Sequence, residues 1–201
     1  MIKIGITGSI ASGKTTASKI LSYKRGPLFS ADKVVKKLYR NNSFKSRLAK
    51  ELDIKKNLNF KKFLKIKILN NKQSMSKLEK IIHPIVRKEM KKFTFINKRK
   101  HTLFYEVPLL IESKLMRYFD VIIFIKAKKE IRAKRFKING GDKKLFTLLN
   151  SKQLSDKKKS KFSDHVVINE KNLNILKKNL LGIIKLYAWD FFRYRNNWFV
   201  F

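Results

Sequence analysis

The sequence predicts a three-layer α/β/α fold around a parallel sheet. Three observations predict it. The chain opens with a strand–loop–helix unit built on Gly8-Ser9-Ile10-Ala11-Ser12-Gly13-Lys14-Thr15-Thr16. Strand-length apolar runs then recur between stretches of helical periodicity, the order of a parallel sheet with crossover helices. The runs Thr102–Tyr105 and Val121–Ile125 are continuously apolar, as strands covered on both faces are.

Each element follows from its residues. Ile2-Lys3-Ile4-Gly5-Ile6 alternates into a first strand, Thr7-Gly8 begins the loop, and Thr15–Leu21 follows as a helix. Gly26-Pro27 marks a turn before a short buried strand at Leu28-Phe29. Ala31–Tyr39 reads as a helix with Asp32 near its start. From Ser43 to Lys92 the apolar spacing is helical, including Leu48, Leu52, Phe60, Leu64, Leu78, Ile82 and Met90. This block predicts several short helices and no strand. Thr102–Tyr105, ending in Glu106, and Val121–Ile125 are the next strands. Lys128–Lys137 is a basic helix broken by Gly140-Gly141-Asp142. Leu145–Leu154 is a further helix, and Lys157–Lys161 reads as a charged loop. His165–Asn169 is a last short strand, and Leu173–Phe192 a periodic C-terminal helix before Trp198-Phe199-Val200-Phe201.

Composition narrows the function classes. The 201 residues suffice for one buried α/β domain with inserted parts. The absence of cysteine excludes disulfides, thiolate zinc sites and thiol catalysis. With no leader-like N-terminus and no apolar run long enough to span a bilayer, a cytoplasmic protein with no membrane partner is expected. The net charge of +36 is extreme. It has two readings: affinity for nucleic acid or another polyanion, or lysine-rich drift of the whole composition. The excess is spread along the chain rather than gathered in one tail, which favours drift and no specific nucleic-acid partner.

The chemistry concentrates in the first loop. Gly8, Gly13, Lys14 and Thr15 satisfy G-x-x-x-x-G-K-[ST], the phosphate-binding loop. Glycines let successive backbone N–H groups curl around a polyphosphate, Lys14 adds a mobile charge at the β/γ-phosphates, and the Thr15 hydroxyl is placed to ligate Mg²⁺. A helix beginning near Gly13 points its positive end at the same phosphates. The architecture is therefore that of a P-loop kinase fold. It forms a single domain over 1–201, with a helical acceptor-binding insert at about 40–95 and a helical lid at about 128–160.

Further segments occur in a set order after the loop: Ser30-Ala31-Asp32, Ile82-His83-Pro84-Ile85-Val86, Val107-Pro108-Leu109-Leu110-Ile111-Glu112, the helix carrying Arg132 and Arg135, and Ser163–Asn169. Together they resemble the dephospho-coenzyme A kinase family, from about residue 1 to 185. The loop alone is generic to NTPases; the His-Pro and V-P-L-L-x-E segments are more specific. The resemblance implies ATP and Mg²⁺ as cofactors and dephospho-CoA as the small-molecule partner. It implies transfer of the γ-phosphate to the ribose 3′-hydroxyl in the last step of CoA synthesis, by a monomer or small homo-oligomer.

The resemblance also implies roles. Gly8 to Thr16, Arg132 and Arg135 would hold ATP, with Lys14 and Arg135 stabilising the transferring phosphoryl group. Asp32 matches the second acid of a D-x-D segment, the expected base; the alternative, less favoured, is a helix cap. His83, Pro84, Leu109 and Glu112 would line the acceptor side, His83 held out of helix by the following proline. Glu106 reads either as an acid reaching Mg²⁺ beside Thr15 or as a strand-end surface residue. The chain departs from the pattern in three places. Ser30 replaces the first acid of D-x-D, Ser9 replaces a usual glycine, and Lys137-Ile138-Asn139 stands where a second lid arginine is common. Lys137 or Lys143 supplies charge there without arginine's bidentate fork. Two other readings remain at this stage: a nucleoside or small-metabolite kinase on the same scaffold, and a basic nucleic-acid-binding NTPase.

Overall fold

The structure, a computed structural model, describes residues 1–54 and 60–196. Strand β1 (Ile2–Gly8) leads through the loop into α1 (Lys14–Ser22), then β2 (Leu28–Ser30) and α2 (Ala31–Leu38). Helices α3 (Asn42–Leu52), α4 (Phe60–Asn70) and α5 (Lys72–Ile96) follow before β3 (Thr102–Glu106) and β4 (Val121–Lys126). Then come α6 (Lys129–Ile138), α7 (Lys143–Ser151), α8 (Asp156–Lys161), β5 (His165–Ile168) and α9 (Leu173–Asn196). The aromatic tail Trp198–Phe201 lies outside the described residues.

The strands form one parallel sheet in the order β2-β3-β1-β4-β5. Pleating sorts each strand to two sides. Ile4, Ile6, Phe104 and Ile123 pack with Ala17 and Leu21 of α1 and Leu176 and Leu180 of α9. Leu103, Tyr105 and Ile122 point the other way, with Phe29, Met90 and Leu110. A third core belongs to the helical insert: Phe44, Leu48, Leu52, Phe60, Leu64, Leu78 and Ile82. The chain leaves β1 toward β2 on one side and later occupies β4 on the other. The strand ends beside β1 are therefore a topological switch point, where open α/β sheets place ligands.

Two local expectations fail. The insert does not break into short helices around Pro84, because α5 runs unbroken for 25 residues with Pro84 inside it, and His83 is helical. Proline forfeits one backbone hydrogen bond in a helix. Here Leu78, Ile82 and Met90 bury one face of α5 along its length, and that packing overrides the local penalty. Nor is Lys157–Lys161 a loop. It lies in α8, whose N-cap Ser155 accepts the Lys158 N–H at 3.3 Å. Lys159 faces inward and is fully buried.

Candidate active site

The loop after β1 is held from behind. The Lys14 ammonium donates to the Ser9 carbonyl at 3.0 Å, and the Ser12 N–H to the same carbonyl at 3.1 Å. Asn169, just past β5, donates to the Ser12 carbonyl at 2.9 Å. Ser9 and Ser12 are buried on this inner side. With carbonyls drawn inward, the loop turns through positive φ at Ala11 (56°) and Gly13 (95°). Alternating conformations of this kind gather N–H groups into an anion-binding nest. Gly13 is required twice over: its φ suits glycine, and a Cβ there would lie 2.2 Å from Asn169 Nδ2. Gly8 is as tight, since a Cβ would lie 2.6 Å from the Ile125 carbonyl oxygen. Helix α1 starts at Gly13 with no side-chain cap. Its first-turn N–H groups are left for a ligand.

In front of the loop lies a cleft of about 710 Å³. Ile10, Ala11, Gly13, Lys14, Thr15 and Thr16 line one wall, with Asp32, Pro108, Leu109 and Arg135 around them. Gln153, just before α8, lines the far side with Asn169, Lys171, Leu173 and Leu176 around the start of α9. Asp32 enters because β2 ends in register with β3, Ser30 opposite Glu106. Ser30 itself caps α2, accepting the Lys33 N–H at 3.5 Å, so the Asp32 carboxylate is not the cap.

The electrostatics follow from this convergence. Burial lowers the Lys14 pKa to about 8, against the opposing pull of Asp32 and Glu106; Lys159 and Arg132 lower it further. Asp32 is exposed to the cleft, with the protein wall on its other side. Desolvation raises its pKa above the ordinary carboxylate value, Glu106 adds to the rise, and Lys14 opposes it. Glu106 is buried at the end of β3 and accepts the Thr15 hydroxyl at 2.5 Å. It is not the surface residue that its strand-end position allows. Among the described residues no three His, Asp or Glu side chains gather into a metal cage. One hydroxyl beside one carboxylate fits Mg²⁺, which keeps waters and takes substrate phosphate oxygens for its remaining positions.

Other expected residues fall elsewhere. Arg132 does not reach over the cleft. It is buried, donating to the Ala127 carbonyl at 3.0 Å, to Asn150 Oδ1 at 2.8 Å and to the Ile10 carbonyl at 3.5 Å. Its position on the inner face of α6 spends the fork on protein. Arg135, one turn on, reaches the Ser12 carbonyl at 3.5 Å and lines the cleft. His83 lines an adjacent hollow of about 330 Å³ with Glu79, Arg87, Leu109, Glu112, Lys114 and Lys152. Glu79, Leu109 and Lys152 are shared with the main cleft. Pro84 lines neither. Glu112 is half engaged: Oε1 accepts the Leu154 N–H at 3.1 Å and pairs with Lys159 at 2.9 Å, while Oε2 is buried without a hydrogen-bond partner.

Sequence reasoning missed the residues that grip the loop. Gln153 accepts the Ile10 N–H at 2.8 Å, Asp156 accepts the Ser9 hydroxyl at 2.6 Å, and Asn169 holds Ser12. Only Asn169 carried a readable signal, a polar residue closing an apolar strand.

Comparison with known proteins identifies the lineage of this site. A family model for dephospho-CoA kinase matches residues 2–174. The chain belongs to the dephospho-CoA kinase family. Among dephospho-CoA kinases, that of Bartonella henselae is 33% identical over 189 residues, covering 90% of this chain and 96% of that one. That of Fusobacterium nucleatum is 34% identical over 189 residues, covering 88% and 94%. The fold is also that of a solved dephospho-CoA kinase from Campylobacter jejuni (TM-score 0.63, 23% identity, 91% of this chain and 95% of that one). A shikimate kinase from Acinetobacter baumannii, solved with shikimate, shares the fold more distantly (TM-score 0.55, 12% identity, 94% of each chain).

Proposed function

We propose that the chain transfers the γ-phosphate of ATP to the ribose 3′-hydroxyl of dephospho-CoA, giving CoA and ADP. The observation that carries this reading is a carboxylate, Asp32, sharing one cleft with an uncapped helix N-terminus and a buried lysine in a chain of this family.

Phosphoryl transfer asks for positioning and charge neutralisation more than covalent help. The amides of the loop and of the first turn of α1 bind the β- and γ-phosphates. Lys14, whose ammonium bonds to the Ser9 carbonyl, has the charge to turn toward them. Arg135 faces the transferring group from the lid. Thr15 and Glu106 would hold Mg²⁺, which supplies charge neutralisation on the phosphates when bound. Asp32 orients the acceptor hydroxyl and takes its proton as the oxygen bonds to the γ-phosphorus and the bond to the bridging oxygen of ADP breaks. Its raised pKa makes it a better base than an ordinary carboxylate. Leu109 and Pro108 form the acceptor wall. The hollow with His83, Arg87 and Lys114 continues from it and suits the rest of an elongated, anionic acceptor.

The test is an ADP-release assay with Mg-ATP and dephospho-CoA, with adenosine, AMP and RNA as comparison acceptors. Turnover with dephospho-CoA well above the other three is expected. Equal turnover with adenosine or AMP, or RNA-stimulated hydrolysis alone, would reject the reading.

A further inference from the structure

Helix α8 is six residues long, far too short to hold itself together. Yet it carries a fully buried lysine, flanked by exposed ones at 157, 158 and 161. Burying an ammonium is expensive, and Lys159 offsets part of the cost with an ion pair to Glu112 at 2.9 Å, Glu112 Oε2 being left without a hydrogen-bond partner. Glu112 lies beyond β3, on the acceptor wall. The same carboxylate oxygen takes the Leu154 N–H, so Glu112 fixes the approach to α8 at two points. Two polar contacts beside this anchor lead to the phosphate loop. Gln153 holds the Ile10 N–H at 2.8 Å and Asp156 holds the Ser9 hydroxyl at 2.6 Å. Ser9 is one of the positions where this chain departs from the glycine its resemblance implies, so the Asp156 contact uses a hydroxyl that the usual residue lacks.

A buried ion pair is poor evidence for stability, since apolar replacements of both partners are often neutral. This one has a positional consequence instead. We propose that Lys159 is a positioning residue: paired with Glu112, it locks α8 so that Asp156 and Gln153 hold the phosphate loop in the shape that receives nucleotide. The inference rests on the reading of the cleft as a nucleotide site. It adds a mechanical link from the acceptor wall, through the base of the lid, to the loop.

The test uses the full chain, Mg²⁺ and a non-hydrolysable ATP analogue, with affinity read by calorimetry and folding by thermal melting. The double variant Lys159→Met/Glu112→Gln removes both charges and leaves an acceptor for Leu154. Its analogue affinity is expected to fall about tenfold, the scale of a lost charge-assisted hydrogen bond. Asp156→Ala should cost a similar factor. Combining all three changes should cost little more than either alone, because both break the same chain of contacts. A pair that served only the fold would lower the melting temperature and leave analogue affinity unchanged; that result overturns the proposal, as do losses that simply multiply. If the double variant does not fold, Lys159→Arg, which keeps the charge but not the fit, takes its place, and its loss of affinity should shrink in a Ser9→Gly background. Ser9→Gly alone tests the far end of the contacts. It leaves the ion pair intact and should weaken the analogue about as much as Asp156→Ala, with no further loss in combination. Unchanged affinity in Ser9→Gly overturns the proposal. The readout needs no acceptor and no turnover, so wild-type protein that binds the analogue but fails to phosphorylate dephospho-CoA rejects the functional reading and not this one. Wild-type protein that does not bind the analogue rejects both.

Discussion

At the scale of single residues, the roles proposed for Lys14 and Asp32 differ by position. Lys14 sits where the amides of the loop converge, and Asp32 stands across the cleft at the start of α2. Lys14→Ala should cost about 2–4 kcal/mol of transition-state stabilisation, read as a loss of kcat/KM. Asp32→Asn should bind ATP as before and transfer its phosphate roughly 10²–10⁴-fold more slowly; normal turnover in that variant would remove Asp32 as the base. Their pKa shifts give the pH profile a shape. Lys14 loses its proton near pH 8 in the free protein, so kcat/KM for ATP should fall as pH rises through about 8. On the acid side it should fall as Asp32 protonates, at a pH above the ordinary carboxylate range because that pKa is raised. The stability sign is opposite for the lysine. Unfolded Lys14 holds its proton to about 10.5 and folded Lys14 only to about 8, so the burden of burying its charge lifts between those values and stability from this group rises with pH there. The loop and Asp32 could be picked from the sequence because local spacing encodes them. Gln153, Asp156 and Lys159 could not: their partners lie more than 40 residues away, and a lysine run looks the same whether one member is buried or none.

At the scale of elements, what decides is which face each helix buries. The strands were legible because continuous apolar runs have few other homes, and their registers bring Ser30, Glu106 and Ile6 to one line. Helix α5 was misread because Pro84 is a strong local signal and packing along 25 residues is not a local one. α8 was misread for the complementary reason, since charge runs are usually solvated. The start of α5 matters to the cleft, since Met75 and Glu79 of its first turns line it. Asn71 caps that turn, accepting from the N–H groups of Gln73 at 2.8 Å and Ser74 at 3.3 Å. Asn71→Ala should therefore cost about 1 kcal/mol of stability, checked by denaturant titration, with an unchanged slope of free energy against denaturant. A loss well above that would mean that Asn71 does more than cap.

At the scale of the whole molecule, the question is what +36 does for an enzyme whose proposed substrates are both polyanions. A charge of this size steers anions toward the surface from beyond contact distance, and salt screens that attraction within about 10 Å at 0.1 M. The contacts proposed to do the chemistry are shorter, and Lys14 is buried inside the loop while Asp32 stands exposed at the cleft. They should be screened far less. Raising ionic strength is therefore expected to lower kcat/KM for both ATP and dephospho-CoA while leaving kcat nearly unchanged. RNA should inhibit at low salt by occupying the same field, and the inhibition should vanish as salt rises, the signature of non-specific phosphate binding. If instead RNA stimulated ATP hydrolysis, or kcat/KM were flat with salt, the charge would not be acting on these substrates as a field. The first result would point to nucleic acid as a genuine partner. The second would leave the lysines as compositional drift that the fold tolerates because, among the described residues, no lysine but Lys14 and Lys159 is buried.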